Sequence, residues 1–155
     1  MAKTALRELA RQLEVLNDEL SALHVTIGDR PPDEAALVDQ FEDAVLNLMA
    51  LTPKALINAR EAGDAIGTPV DPAQLRRSLT ACQVSFQRVD NSFEAVYLRH
   101  RLNELVRFAG THGGDWVPWA NTTIEAIERC REDVSRVRNA LTVCWQEAAE
   151  FDRMR

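Results

Sequence analysis

Three histidines, three cysteines and a row of arginines are the residues of this 155-residue chain whose types and spacing could do chemistry. A carboxylate-bridged metal pair in a helical protein needs a Glu three residues before each of two ligating histidines. The positions three before His24, His100 and His112 hold Ser21, Tyr97 and Ala109, so that motif is absent. Cys130 and Cys144, on one expected helix, stand about 21 Å apart along its axis and cannot share a metal. Cys82, Cys130 and Cys144 each fall on or beside an apolar stripe, where a thiol behaves as a small hydrophobe, and three scattered cysteines make no disulfide framework. No phosphate-cradling glycine loop, nucleophile elbow or CxxC pair is present. His100 is in phase with Phe93 and Val96 and reads as a core or boundary side chain, since no Ser or Cys nucleophile can be placed beside it. The chain is therefore expected to be non-enzymatic, with no catalytic, cofactor or metal residues.

The arginine row is the remaining chemistry. Arg77, Arg88 and Arg99 recur every eleven residues, about 16.5 Å or three helical turns, along one helix flank. Such a row either pairs with acids on neighbouring helices or meets phosphates or an acidic protein. Without interleaved aromatics or clustered lysines, nucleic acid is the second reading rather than the first.

The elements that carry these residues follow from spacing. Leu6, Leu9, Leu13, Leu16, Leu20, Leu23 and Ile27 form an unbroken ladder of threes and fours, the mark of a helix packing nearly parallel to its neighbours. This first helix is expected over Lys3–Ile27, stopped by Gly28 and the Pro31–Pro32 pair. A second begins near Asp33–Glu34, carries Leu37, Phe41, Val45 and Leu48, and is expected to be kinked or split at Pro53. A third follows the Asp71 cap and Pro72, with Leu75, Leu79, Cys82, Phe86, Val89, Phe93 and Val96, and reaches Ala109 before the turn Gly110–Gly114. A fourth opens on a Thr122–Glu125 capping box and runs to Phe151, with Trp145 on its core face. The expected fold is all-α, an up-and-down antiparallel four-helix bundle in one domain spanning residues 1–155.

Composition agrees with a globular chain: 46% hydrophobic and 27% charged, with a net charge of −6. The charge is −7 over residues 1–71, +3 over 72–112 and −2 over 113–155. No run approaches the ~20 apolar residues of a membrane span, and the N-terminus enters an amphipathic pattern without a signal-peptide core. A cytoplasmic protein that does not contact membrane is expected.

Two features are left over by this core. In the second half of the third helix, Leu98, Leu102, Leu105 and Ala109 cluster nearly opposite the ladder ending at Val96. Either the helix breaks near Tyr97, or this stripe meets another partner. Trp116 and Trp119 sit in the connection to the fourth helix, suited to an interface hot spot or to a lid over the bundle end. Leu98, Leu102, Leu105, Trp116 and Trp119 are thus the expected contacts to a protein partner, a second copy or another subunit of a larger, prokaryotic assembly. The alternative is a small helical subunit of a ribonucleoprotein, touching phosphates through Arg77, Arg88 and Arg99.

Overall fold

The computed structural model describes residues 2–33, 35–97 and 99–153, and within them the side chains of all but Ala95, Arg99, His100 and Asp152. Among these residues every regular element is an α-helix: α1 (Ala2–Gly28), α2 (Ala36–Asp64), α3 (Pro72–Val96), α4 (Arg99–His112) and α5 (Trp116–Arg153). Helix α1 packs against α2 and α5, α2 against α3, and both α3 and α4 against α5. Cross-helix partners run antiparallel. Glu14 meets Arg60 and His24 faces Glu42 across α1 and α2, while Gln83 meets Trp145 and Asp90 meets Arg138 across α3 and α5.

The all-α class holds, with five helices in place of the expected four. The expected third helix ends at Tyr97, whose backbone leaves the helical region at φ −100°, ψ 44° while its N–H still bonds the Phe93 carbonyl. The chain restarts as α4 at Arg99. The interruption lets a second apolar face, Leu102, Leu105 and Ala109, bury in the core on the side of α5. Helix α5 opens at Trp116, six residues before the expected capping box. Thr122 caps nothing: its hydroxyl donates back to the Pro118 carbonyl one turn earlier at 3.0 Å. The turn between α4 and α5 is made by Gly113 (φ 66°) and Gly114 (φ 56°), left-handed conformations that glycine adopts without steric cost.

Helix α2 is one element running through Pro53, not two. The missing proline N–H costs one ladder bond, and the buried Thr52 hydroxyl donates to the Leu48 carbonyl at 2.8 Å in the same turn. Its start lies at Ala36 rather than at Asp33, with Arg30 clamping Asp39 of the first turn at 2.7 Å. At α3 the expected cap is present: the Asp71 carboxylate accepts from the backbone N–H groups of Ala73 (3.1 Å) and Gln74 (3.5 Å).

The α1 ladder from Leu6 to Ile27 is fully buried, and the ladders of α2, α3 and α5 close around it. Among the described residues no helix is long and apolar enough to cross a membrane.

Candidate functional site

Helix α5 presents two flanks beside its buried stripe, and they differ. On the side of α1, the positions just before Ala120, Ile127, Val134 and Leu141 hold Trp119, Ala126, Asp133 and Ala140, all buried. On the side of α3, the positions just after Cys130, Val137 and Cys144 hold Arg131, Arg138 and Trp145, which are exposed or half-buried. Helix α3 answers with Gln83, Asp90 and, at its C-cap, Tyr97, each just after buried Cys82, Val89 or Val96.

These six side chains make three rungs. Trp145 Nε1 donates to Gln83 Oε1 at 3.2 Å. Arg138 Nη2 donates to Asp90 Oδ1 at 2.7 Å. The Arg131 guanidinium lies 4.9 Å from the centre of the Tyr97 ring, whose hydroxyl donates to Glu128 at 3.1 Å. Each rung is seven residues from the next on both helices, about 10.5 Å. Polar rungs span the gap between α3 and α5 without filling it. A cavity of about 160 Å³ floored by Phe86 and Leu141 lies between the first and second rungs. Another of about 230 Å³, lined by Phe93, Val134 and Ser135, lies between the second and third.

The expected contacts are placed elsewhere. Leu98 lies outside the described residues. Leu102 and Leu105 are buried in the core, with α4 packed on α5, so the off-phase stripe is spent within the chain. Trp116 and Trp119 are also buried. Trp116 packs edge-on between Phe108 (5.0 Å) and Trp119 (5.4 Å), and Trp119 Nε1 donates to the Thr26 carbonyl in the last turn of α1 at 3.0 Å. The Trp116 Nε1 is buried and finds no acceptor among the described residues. Arg77 and Arg88 are exposed on the outer face of α3, where neither has a carboxylate partner among the described residues; the Arg99 side chain lies outside them. The third tryptophan, Trp145, read from sequence as a core residue, is the one that lines the α3–α5 seam. Its signal was in the sequence: Arg131, Arg138 and Trp145 repeat every seven residues directly beside the apolar ladder, as Gln83, Asp90 and Tyr97 do along α3 and its C-cap.

All three cysteines are buried free thiols. Burial pushes Cys82 up to about 11 and Cys144 up to about 12, with the nearby Cys82 adding to the shift at Cys144. Burial pushes Cys130 up to about 12 as well, helped by Asp133 and Glu19. Such thiols are inert rather than nucleophilic. Among the described residues no group of three or more His, Cys, Asp or Glu side chains is arranged to hold a metal ion.

A second groove of about 310 Å³ lies between the start of α1 and the end of α2, floored by Leu6, Ala59 and Gly63. Its Arg11 and Arg60 are tied to Glu8 and Glu14, and it has no aromatic wall. The α3–α5 seam, with Trp, Tyr and two Arg, has the composition of a contact surface. Set against known families, characterised proteins and solved structures, the chain matches none.

Proposed function

We propose that this chain is a non-catalytic interaction subunit that binds a protein partner along the α3–α5 seam. The observation that carries this reading is the pair of aromatic-floored cavities left between the rungs, on a face rich in the residue types that dominate binding energy at interfaces. In this reading α1, α2, α3 and α5 act as an up-and-down bundle that holds the two rims rigid, with α4 and the Trp116–Trp119 lid closing one end. Three buried free thiols suit a reducing, cytoplasmic setting.

Photo-crosslinking in the native cell tests it. Benzoylphenylalanine placed at Ser135 or Thr142, both exposed beside the cavities, is expected to give a protease-sensitive adduct. The same probe at Asp43, on the outer face of α2, is expected to give none. Adducts at neither seam position, or equally at Asp43, overturn the reading.

A second reading is favoured by one observation, the exposure of Arg77 and Arg88 without carboxylate partners among the described residues. In it the outer face of α3 touches a nucleic-acid backbone, within a segment of charge +3. Salt-sensitive RNA binding that is lost in the R77A/R88A/R99A variant supports this second reading. Retained binding in that variant removes it.

A further inference from the structure

Resting on the seam reading above, we infer that the partner segment is an amphipathic α-helix from another protein, carrying two large apolar anchors seven residues apart. The spacing of the cavities selects the helix. Each cavity lies between consecutive rungs, so the two repeat at the rung distance, about 10.5 Å. A helix presents side chains at i and i+7 on one face, two turns and about 10.5 Å apart. An extended strand covers that distance in about three residues, and an odd step points the two side chains to opposite faces. One strand cannot fill both cavities.

The middle rung dictates what lies between the anchors. The Asp90–Arg138 pair stands between the cavities, with Arg138 54% exposed at its side chain and Asp90 18%. A partner helix crossing it places residue i+3 or i+4 directly over this ion pair. A small or hydrogen-bonding side chain fits there, and a bulky apolar one would strip water from the pair without replacing it.

The rims set the flanks of the partner. On the α5 rim, Arg131 and Arg138 are about half-exposed, each beside one carboxylate of the chain, Glu128 at 3.7 Å and Asp90 at 2.7 Å, with the rest of the guanidinium open to a partner. On the α3 rim, Glu94 is exposed and has no cation partner among the described residues. The complementary helix carries Asp or Glu on its α5-facing flank and Lys or Arg on its α3-facing flank.

A second copy of this chain does not supply that helix. Among the described residues, no two large exposed apolar side chains stand seven apart on one helix. The apolar ladders that do repeat at seven are already buried in the core.

Selection from a displayed library of helical peptides with randomised surface positions tests the inference, using the full chain as bait. The peptides recovered are expected to converge on apolar residues at i and i+7 with a small or polar residue between. Alanine at either anchor, or Ser135→Trp or Thr142→Trp in the protein, is expected to weaken binding about tenfold or more. Circular dichroism and thermal melting of both tryptophan variants check that the fold is kept. Because both substituted positions are exposed, two independent variants make a general folding failure separable from a filled cavity. Peptides with no spacing preference, peptides that bind both filled variants as well as the parent, or no binders at all overturn the inference. So does concentration-dependent dimerisation that Ser135→Trp abolishes. Seam adducts in the cell together with no spacing preference would remove the helix and keep the protein-binding reading. Loss of the adducts would remove both.

Discussion

The two seams that α5 makes, with α1 on one side and with α3 on the other, are built on the same heptad ladder and end in opposite states. Toward α1 the flanking positions are mostly small or apolar: Ala126 and Ala140 are buried, and Trp119 folds over the end. Toward α3 the corresponding positions are Arg131, Arg138 and Trp145, whose bulk and charge meet Gln83, Asp90 and Tyr97 as spanning rungs. Small flanking residues let two helix backbones approach and interlock their ladders. Large polar ones hold the helices apart and leave cavities between the bridges. A helix stripe therefore decides that a face is buried, while the residues one step to either side decide how tightly.

The closed seam has one anomaly. Asp133 is 3% exposed, accepts from Arg136 at 3.1 Å through Oδ1, and leaves Oδ2 without a partner among the described residues. Burial first, then the negative charge of Glu19, raises its carboxyl above the usual 3.8, against the opposing pull of Arg136. The folded chain thus holds a proton on this group more readily than the unfolded chain does. Between 3.8 and the raised folded value, stability falls as pH rises, and the penalty is fully present above both.

The largest expected effect comes from forcing the closed seam open. Ala126→Leu is expected to cost about 2 kcal/mol in urea denaturation through overpacking, while Ser135→Leu on the open seam costs under ~0.5 kcal/mol, as exposed substitutions do. Equal costs would end the distinction between the seams.

Thiol labelling reads the same difference without altering the core. Cys82 and Cys144 lie together near the α3–α5 seam, and Cys130 lies toward Glu19 of α1. In native buffer, Cys82 and Cys144 are expected to react with a thiol probe about tenfold faster than Cys130, which corresponds to ~1.4 kcal/mol easier local opening. Mass spectrometry of time points gives the order; faster labelling of Cys130 would reverse the comparison.

Asp133→Asn is expected to stabilise the fold by about 1 kcal/mol near neutral pH by removing a buried charge. The gain should shrink as pH falls toward the ordinary carboxylate range, where the parent is itself protonated. A gain that persists unchanged in acid would show that charge is not its cause.

The smallest effect belongs to the middle rung. Arg138→Ala removes a half-exposed partner of Asp90 and is expected to cost about 0.5 kcal/mol, less in high salt. A cost several times larger would mean that the rungs, rather than the core beneath them, hold α3 to α5.

What could be read from residues alone was whatever depends on a local period. Ladders of threes and fours placed α1, α2, α3 and most of α5, and the Asp71 cap followed from side-chain preferences that act within a few residues, while the expected Gly110–Gly114 turn shrinks to Gly113–Gly114 because α4 runs on through His112. The change of face after Val96 was visible as well, with a break near Tyr97 as one of its two readings. Two regions depend on more than a local period. Trp116 and Trp119 looked like a connection because Pro118 interrupts the pattern, yet proline in the first turn of α5 sacrifices no ladder bond, and burial under α1 and α4 makes that turn helical. The stripe of Leu102 and Leu105 looked available because a sequence does not say which neighbour covers a face.

The rungs show where the boundary lies. Gln83 and Asp90 on α3 and Tyr97 at its C-cap repeat at seven, and Arg131, Arg138 and Trp145 repeat at seven on α5. Those periods are legible in the residues alone, because they belong to the geometry of single helices. Only the tertiary structure decided that the two rows face each other in antiparallel register, and that α1 rather than α3 receives the alanine flank of α5. The physical reason is that equivalent apolar ladders pack with almost equal energy in several registers and pairings. The choice among them is made by the sum of many weak contacts over the whole bundle, a quantity no local window contains.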